Sequence, residues 1–276
     1  MSGTDARTAH GVPEGAAGSP HGEPAARLAD VCACRAAVYH ALALGFCEPT
    51  AAYVEALACG ELVGGLREAV AWLRADAAVY DPALAELERA GAVAAESDGA
   101  EVLEGLAVEH ARLFTGPGRP AVMCYATQYL DPDERRPWLL NGAATAYAVA
   151  AYRAEGVAPA DSRRELPDHV TVELEFLFHL CRREEESWQR DERDEALRLC
   201  RALDTFLREH AAPFLTGFAG AVRDGGGNLA SGGARGAGVD LYGALAELLA
   251  AHVAVELGEP PAGADVVGSG DTPPAG

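Results

Sequence analysis

The stretch Leu166-Pro167-Asp168-His169-Val170-Thr171-Val172-Glu173-Leu174-Glu175-Phe176-Leu177-Phe178-His179-Leu180-Cys181 reads as a helix. Pro167 suits a first helical turn, where its missing N–H costs nothing. Val170, Leu174, Leu177 and Cys181 then step by four, three and four residues, which places them on one face. Outward from it, the same period recurs. Downstream, 184–194 is a charged run expected to be a solvated break. A helix follows over 195–210, Pro213 opens another through 222, and 239–257 is the last. Upstream lie helices over 23–44, with Leu28, Val31, Val38 and Leu42 on one face, and over 50–58, capped by Thr50. Others span 62–75, 82–94, 101–114 and 133–154. No pair of segments alternates as strands do, so the expected fold is all-α: one bundle domain of about ten helices over 25–258. Residues 1–24 and 259–276 have the Gly/Pro-rich composition of disordered tails, and 224–238 reads as a Gly-rich loop.

Composition narrows the function. The 276 residues carry 22 Lys+Arg against 42 Asp+Glu, a formal charge of −20, and the chain has no Lys and no Ile. Such acidity argues against a nucleic-acid partner, which needs a basic footprint. It suits a basic one. Hydrophobic residues at 49% suffice for a sizeable core. No run of 18 or more apolar residues occurs and the opening residues lack an apolar leader, so a cytoplasmic protein is expected. Seven cysteines, an odd number without framework spacing, fit a reducing compartment. Cys32 and Cys34, two apart on a helix, point to opposite faces and read as buried thiols.

Catalytic and metal signatures are missing. There is no Cys-x-x-Cys, no Glu-x-x-His, no HExxH, no P-loop, no G-x-S-x-G and no dinucleotide fingerprint. No metal and no cofactor is therefore expected. Three clusters remain: Glu109-His110-Ala111-Arg112-Leu113-Phe114 before a Gly-Pro-Gly turn, Cys124-Tyr125-Ala126-Thr127-Gln128-Tyr129-Leu130, and Pro167 to Phe176. Taken alone, each has a structural reading. Arg112 can pair with Glu109 three residues back. The tyrosines can be core rings with bonded hydroxyls. Asp168 can favour a helix N-terminus.

In this order and at these separations, the clusters resemble the TorD/DmsD family of redox-enzyme maturation chaperones, relatives of the NarJ-type chaperones. The resemblance spans about residues 25–222. It rests on Glu109, Arg112, Leu113 and Phe114, on Tyr125 and Tyr129, and most specifically on Pro167-Asp168-His169 with Glu173-Leu174-Glu175-Phe176. Arg35 to Ala43 is similar to the family's first helix. His110 stands where Tyr is usual, and Cys124, Ala126 and Thr127 replace Pro, Glu and Ser, which suggests a divergent client.

The resemblance implies an all-helical, cofactor-free, non-catalytic cytoplasmic chaperone. Its partner would be the precursor of a molybdopterin-containing oxidoreductase subunit, held through a twin-arginine signal peptide until the cofactor is inserted. The residues implicated are Asp168, His169, Tyr125, Tyr129, Glu109, Arg112, Phe114 and Glu173. A basic, apolar peptide needs an apolar groove and carboxyl groups for its guanidinium ions. Asp168 is expected to take such an Arg, with His169 donating beside it. Two other readings are a helical nucleotide hydrolase using Asp168 and His169 as an acid–base pair, and an accessory structural subunit of an oxidoreductase. Either a monomer or a dimer swapped through the 156–165 hinge fits the sequence.

Overall fold

The structure, a computed structural model, describes residues 24–73, 77–116, 120–132, 140–158, 165–227 and 240–258. Among these residues the chain is helical, without a strand. The helices are α1 (Pro24–Gly45), α2 (Ala51–Ala58), α3 (Glu61–Trp72), α4 (Asp81–Glu96), α5 (Gly99–His110), α6 (Thr127–Leu130) and α7 (Ala143–Ala154). They continue with α8 (Val170–Gln189), α9 (Arg193–Phe206), α10 (Ala212–Gly227) and α11 (Leu241–Leu257). The tails and most of the Gly-rich loop lie outside the described residues, as does the greater part of the 156–165 hinge.

α8 is the central post. It packs along α1 on one side and α9 on another, while α11 packs on α10 and α4. Val170, Leu174, Leu177 and Cys181 are all buried, and so are Val172, Phe176 and Leu180 on other faces. A helix enclosed on most sides needs apolar residues all round rather than one stripe. α11 is built the same way, and Leu245, Leu248 and Leu249 are fully enclosed. α1 is long and apolar enough to cross a membrane by length and composition alone, and 56% of that window is buried inside the protein. As expected, Cys32 and Cys34 face opposite ways: Cys32 joins Ala29, Trp188 and Ala196, and Cys34 joins the main core. Thr50 caps α2, accepting from the Tyr53 N–H at 3.2 Å.

The structure corrects several sequence-based boundaries. α8 begins at Val170, not Pro167, because Asp168 uses its backbone C=O to accept from Ala126 N–H at 2.8 Å, and His169 is extended (φ −75°, ψ 141°). The expected solvated break at 184 does not exist. α8 runs on to Gln189, with Glu184 and Glu185 buried, because these acids find partners one turn away. Trp188 Nε1 donates to Glu184 at 3.3 Å, and Gln189 donates to Glu185 at 2.9 Å. Pro213 falls in the first turn of α10, as expected, but that helix is not short and runs to Gly227. α9 passes into α10 through a π-turn, Leu207–Ala211, whose wider winding absorbs the missing proline N–H. α7 begins only at Ala143: Asn141 is left-handed (φ 62°), and Asp131 Oδ2 caps the Ala144 N–H at 2.6 Å. The part of that expected helix over 133–139 lies outside the described residues. Residues 224–227 end α10 rather than opening a loop. Leu28 is 42% exposed, off the buried face of α1.

Candidate functional site

The second and third motif clusters meet in one isolated antiparallel bridge between Tyr125 and His169. Ala126 N–H donates to Asp168 O, and Val170 N–H donates to Cys124 O, each at 2.8 Å. Short extended segments on either side thus clamp the entry to α8. The His169 side chain caps that helix: Nδ1 accepts from the Thr171 N–H at 3.3 Å and lies 2.8 Å from Thr171 Oγ1. Its ring meets Tyr125 edge-on at 5.2 Å. Nε2 is left facing Glu165, 3.8 Å away, and Tyr125 Oη donates to the same carboxyl at 3.1 Å. Tyr125 and His169 are half-buried and Glu165 is exposed, so aromatic edge, imidazole and carboxyl form one accessible face.

Behind this face lies a closed polar layer. Asp168 is fully buried, and its Oδ2 accepts from Thr127 N–H at 3.1 Å and from Thr127 Oγ1 at 2.7 Å. Thr127 Oγ1 lies 3.0 Å from Thr145 Oγ1, which ties α7 to the same point. Gly142 is required here, because a Cβ would come within 2.8 Å of Thr127 Cγ2 and 2.9 Å of Asp131 Oδ2. Thr127 keeps a hydroxyl where the resembled family carries Ser. Ala126 is fully buried, so the usual Glu has no place there. Tyr129 donates to Met123 O at 2.8 Å, and its ring lies on Gly217 and Phe214. Glu173, fully buried, lies 2.8 Å from His210 Nε2. Burial pushes its carboxyl up to about 7, opposed by the His210 bond and charge.

The first cluster is held by contacts of its own. Arg112 donates through Nε and Nη2 to both oxygens of Glu109, at 2.8 and 2.6 Å, and reaches Gly225 O at 3.3 Å near the end of α10. Phe114 is a core ring, edge-on to Phe46 and Tyr242 and stacked on Phe218. The backbone joins the clusters, since Val122 N–H donates to Leu113 O at 2.8 Å.

The eight residues singled out in the sequence therefore divide. Tyr125 and His169 face outward, and Glu109 and Arg112 form a half-exposed pair. Asp168, Glu173 and Phe114 are internal, and Tyr129 is anchored to the core. Asp168 directs its carboxyl at Thr127 while the His169 ring turns to Thr171 and Tyr125, so the two do not converge as an acid–base pair. Sequence reasoning missed Glu165, Thr127, Thr145 and His210. The i,i+4 spacing of Glu165 and His169 gave a local signal, and Thr127 stood inside the second cluster without being singled out.

A family model described as the nitrate reductase delta subunit matches residues 73–220, more than half of the chain. Comparison with curated proteins and with solved structures gives no match. All three motif clusters and the bridge that joins two of them fall inside the matched span, so the chain belongs to the nitrate reductase delta subunit family, a family of molybdoenzyme maturation chaperones.

Proposed function

We propose that this chain is a cytoplasmic chaperone that captures the twin-arginine signal peptide of a molybdenum-cofactor oxidoreductase precursor at the Tyr125–Glu165–His169 face. It holds the catalytic subunit until its cofactor is inserted, then releases it for export. The observation that supports this is the bridge: it puts an exposed carboxyl beside two half-buried rings on a backbone clamped from behind. Glu165 supplies the partner for a peptide guanidinium, and Tyr125 and His169 supply ring faces and edges for it or for the apolar residues that follow. Asp168, Glu173 and Tyr129 position this face from inside, Phe114 belongs to the core, and the Glu109–Arg112 pair is a second, half-exposed polar patch. The −20 charge steers a basic segment inward.

Full-length precursor and mature enzyme are each passed over the immobilised chain, and the peptide is titrated at two salt concentrations. Retention of the precursor alone, with association slowing as salt rises, supports the proposal. Equal retention of mature enzyme favours a second reading suggested by the family's description, a lasting subunit of the oxidoreductase.

A further inference from the structure

Glu173 and His210 stand behind the proposed peptide face, joined by one buried hydrogen bond. Glu173 is in the first turn of α8, four residues after the cap His169. His210 lies within the π-turn Leu207–Ala211. Their side chains are 0% and 3% exposed, and Oε1 to Nε2 is 2.8 Å. The second oxygen of Glu173 has no hydrogen-bond partner, and neither has Oδ1 of buried Asp168. His210 is fixed on its other side by Tyr147 of α7, stacked at 5.0 Å and 8°, with Phe206 at 5.2 Å. Tyr147 in turn donates to Glu209 Oε2 at 2.9 Å. One hydrogen bond thus ties the start of α8 to a π-turn, an element able to rewind by one residue.

Resting on the peptide-binding reading above, we propose that Glu173 and His210 form a one-proton latch that positions the Tyr125–His169 face. The face keeps its shape while the pair holds the proton and loosens when the proton leaves. With the proton present, the pair is neutral overall, either as carboxyl and imidazole or as carboxylate and imidazolium. When it departs to a solvent base, Nε2–H still donates to one oxygen, but the pair carries a net negative charge in a closed site. The charged side chains acting on Glu173 are His210, which opposes that charge's cost, and Asp168, which adds to it; Glu209 is reached through Tyr147. A buried charge without a countercharge is costly, and the cheapest relief is to let water reach it by parting α8 from the π-turn. The upward displacement of the Glu173 carboxyl to about 7 by burial puts this loss near neutrality.

The test is amide hydrogen exchange at Ala126 and Val170, the two bridge donors, in the full chain between about pH 6 and about pH 8, corrected for intrinsic rates. Protection in the unsubstituted protein should fall by about tenfold as pH rises, and Glu173→Gln, fixed in the neutral form, should abolish that dependence. Affinity for a synthetic twin-arginine peptide should follow the same profile. Flat protection in the unsubstituted chain, or an equal slope in Glu173→Gln, overturns the latch. If the peptide binds at no pH, the peptide-binding reading fails while exchange still decides the latch. Should Glu173→Gln not fold, carboxyl ¹³C NMR of the glutamates in the unsubstituted chain decides. One glutamate titrating near neutrality in step with bridge exchange supports the latch, and none doing so overturns it.

Discussion

The two ends of α8 bury polar groups in opposite ways. At the N-terminal end, Asp168 is held by the hydroxyl and N–H of Thr127 and Glu173 by an imidazole. At the C-terminal end, Arg35 of α1 grips Glu256 of α11 through Nε, at 2.8 and 3.0 Å, and through Nη2, while Nη1 lies 3.5 Å from Glu184. Burial would raise the Glu256 carboxyl, yet the Arg35 guanidinium and the groups around it hold it below the ordinary range. A guanidinium keeps its charge at any relevant pH, whereas an imidazole or a carboxyl can change state. The C-terminal end is therefore a fixed clamp of α1, α8 and α11, and the N-terminal end, under the motif residues, is adjustable.

The clamp gives the largest expected effect. Arg35→Met fills similar volume but takes the guanidinium away from both Glu256 and Glu184. Loss of one partner from a buried ion pair costs about 3–5 kcal/mol. Urea denaturation should show the midpoint falling accordingly. Adding Glu256→Met should recover part of the loss, because the two sites share one interaction. A single-variant loss below that of Asp168→Ala would erase the distinction between the two ends.

The pH responses of the two ends should oppose each other. His252, enclosed between Tyr39 and Tyr80 with Nδ1 3.0 Å from Tyr80 Oη, is pushed by burial from 6.5 to about 4. Its contribution is whole above 6.5 and is lost as pH falls towards 4, since only the unfolded chain takes the proton in that window. Glu173 has the reverse sign: raised from 4.5 to about 7, its contribution is whole below 4.5 and is lost as pH rises to 7. Between those limits the two slopes offset. Glu173→Gln should leave stability rising with pH between about 4.5 and 6.5, and His252→Asn should leave it falling, each by roughly 2–3 kcal/mol over the window. Parallel profiles for the two variants would show that the ends are not independently tuned.

The same contrast explains what the sequence made legible. The helix from Val170 to Cys181 announces itself by period, and its motif residues are neighbours in the chain, so the N-terminal end of α8 could be named. Arg35 and Glu256 are separated by 221 positions, and although Arg35 opens the stretch similar to the family's first helix, nothing in the sequence points from it to Glu256. Glu184 was lost for a related reason: a run of acids at a helix end resembles a solvated break until Trp188 and Arg35 are seen beside it. Exposure was hidden as well. Asp168 and His169 are adjacent letters, but one enters the bridge facing Thr127 while the other caps α8 at the surface, a division set by the Tyr125 bridge rather than by local propensity.

A smaller effect should follow from Asp168→Ala. It leaves the buried Thr127 N–H and hydroxyl without their acceptor, a loss of about 2–3 kcal/mol measured by the same denaturation. Peptide affinity should fall only as far as the bridge loosens. If stability is unchanged while affinity collapses, Asp168 contacts the peptide directly and the division between inner and outer residues is wrong.

The smallest expected change is at Glu165, and it concerns binding alone. Its side chain is 44% exposed. Gln at this position still accepts from Tyr125 Oη, so the face keeps its geometry and the melting temperature should not move. Only the charge offered to a guanidinium is lost. An exposed ion pair contributes modestly, so affinity for a twin-arginine peptide should drop by about three- to tenfold, and the remaining binding should depend less on salt. Glu109→Gln serves as the control: it removes the same formal charge from a carboxyl that is paired with Arg112 rather than with Tyr125 or His169. If both variants lower affinity equally, long-range charge explains capture and the Tyr125–Glu165–His169 face has no special part. A loss confined to Glu165→Gln places the guanidinium at the bridge.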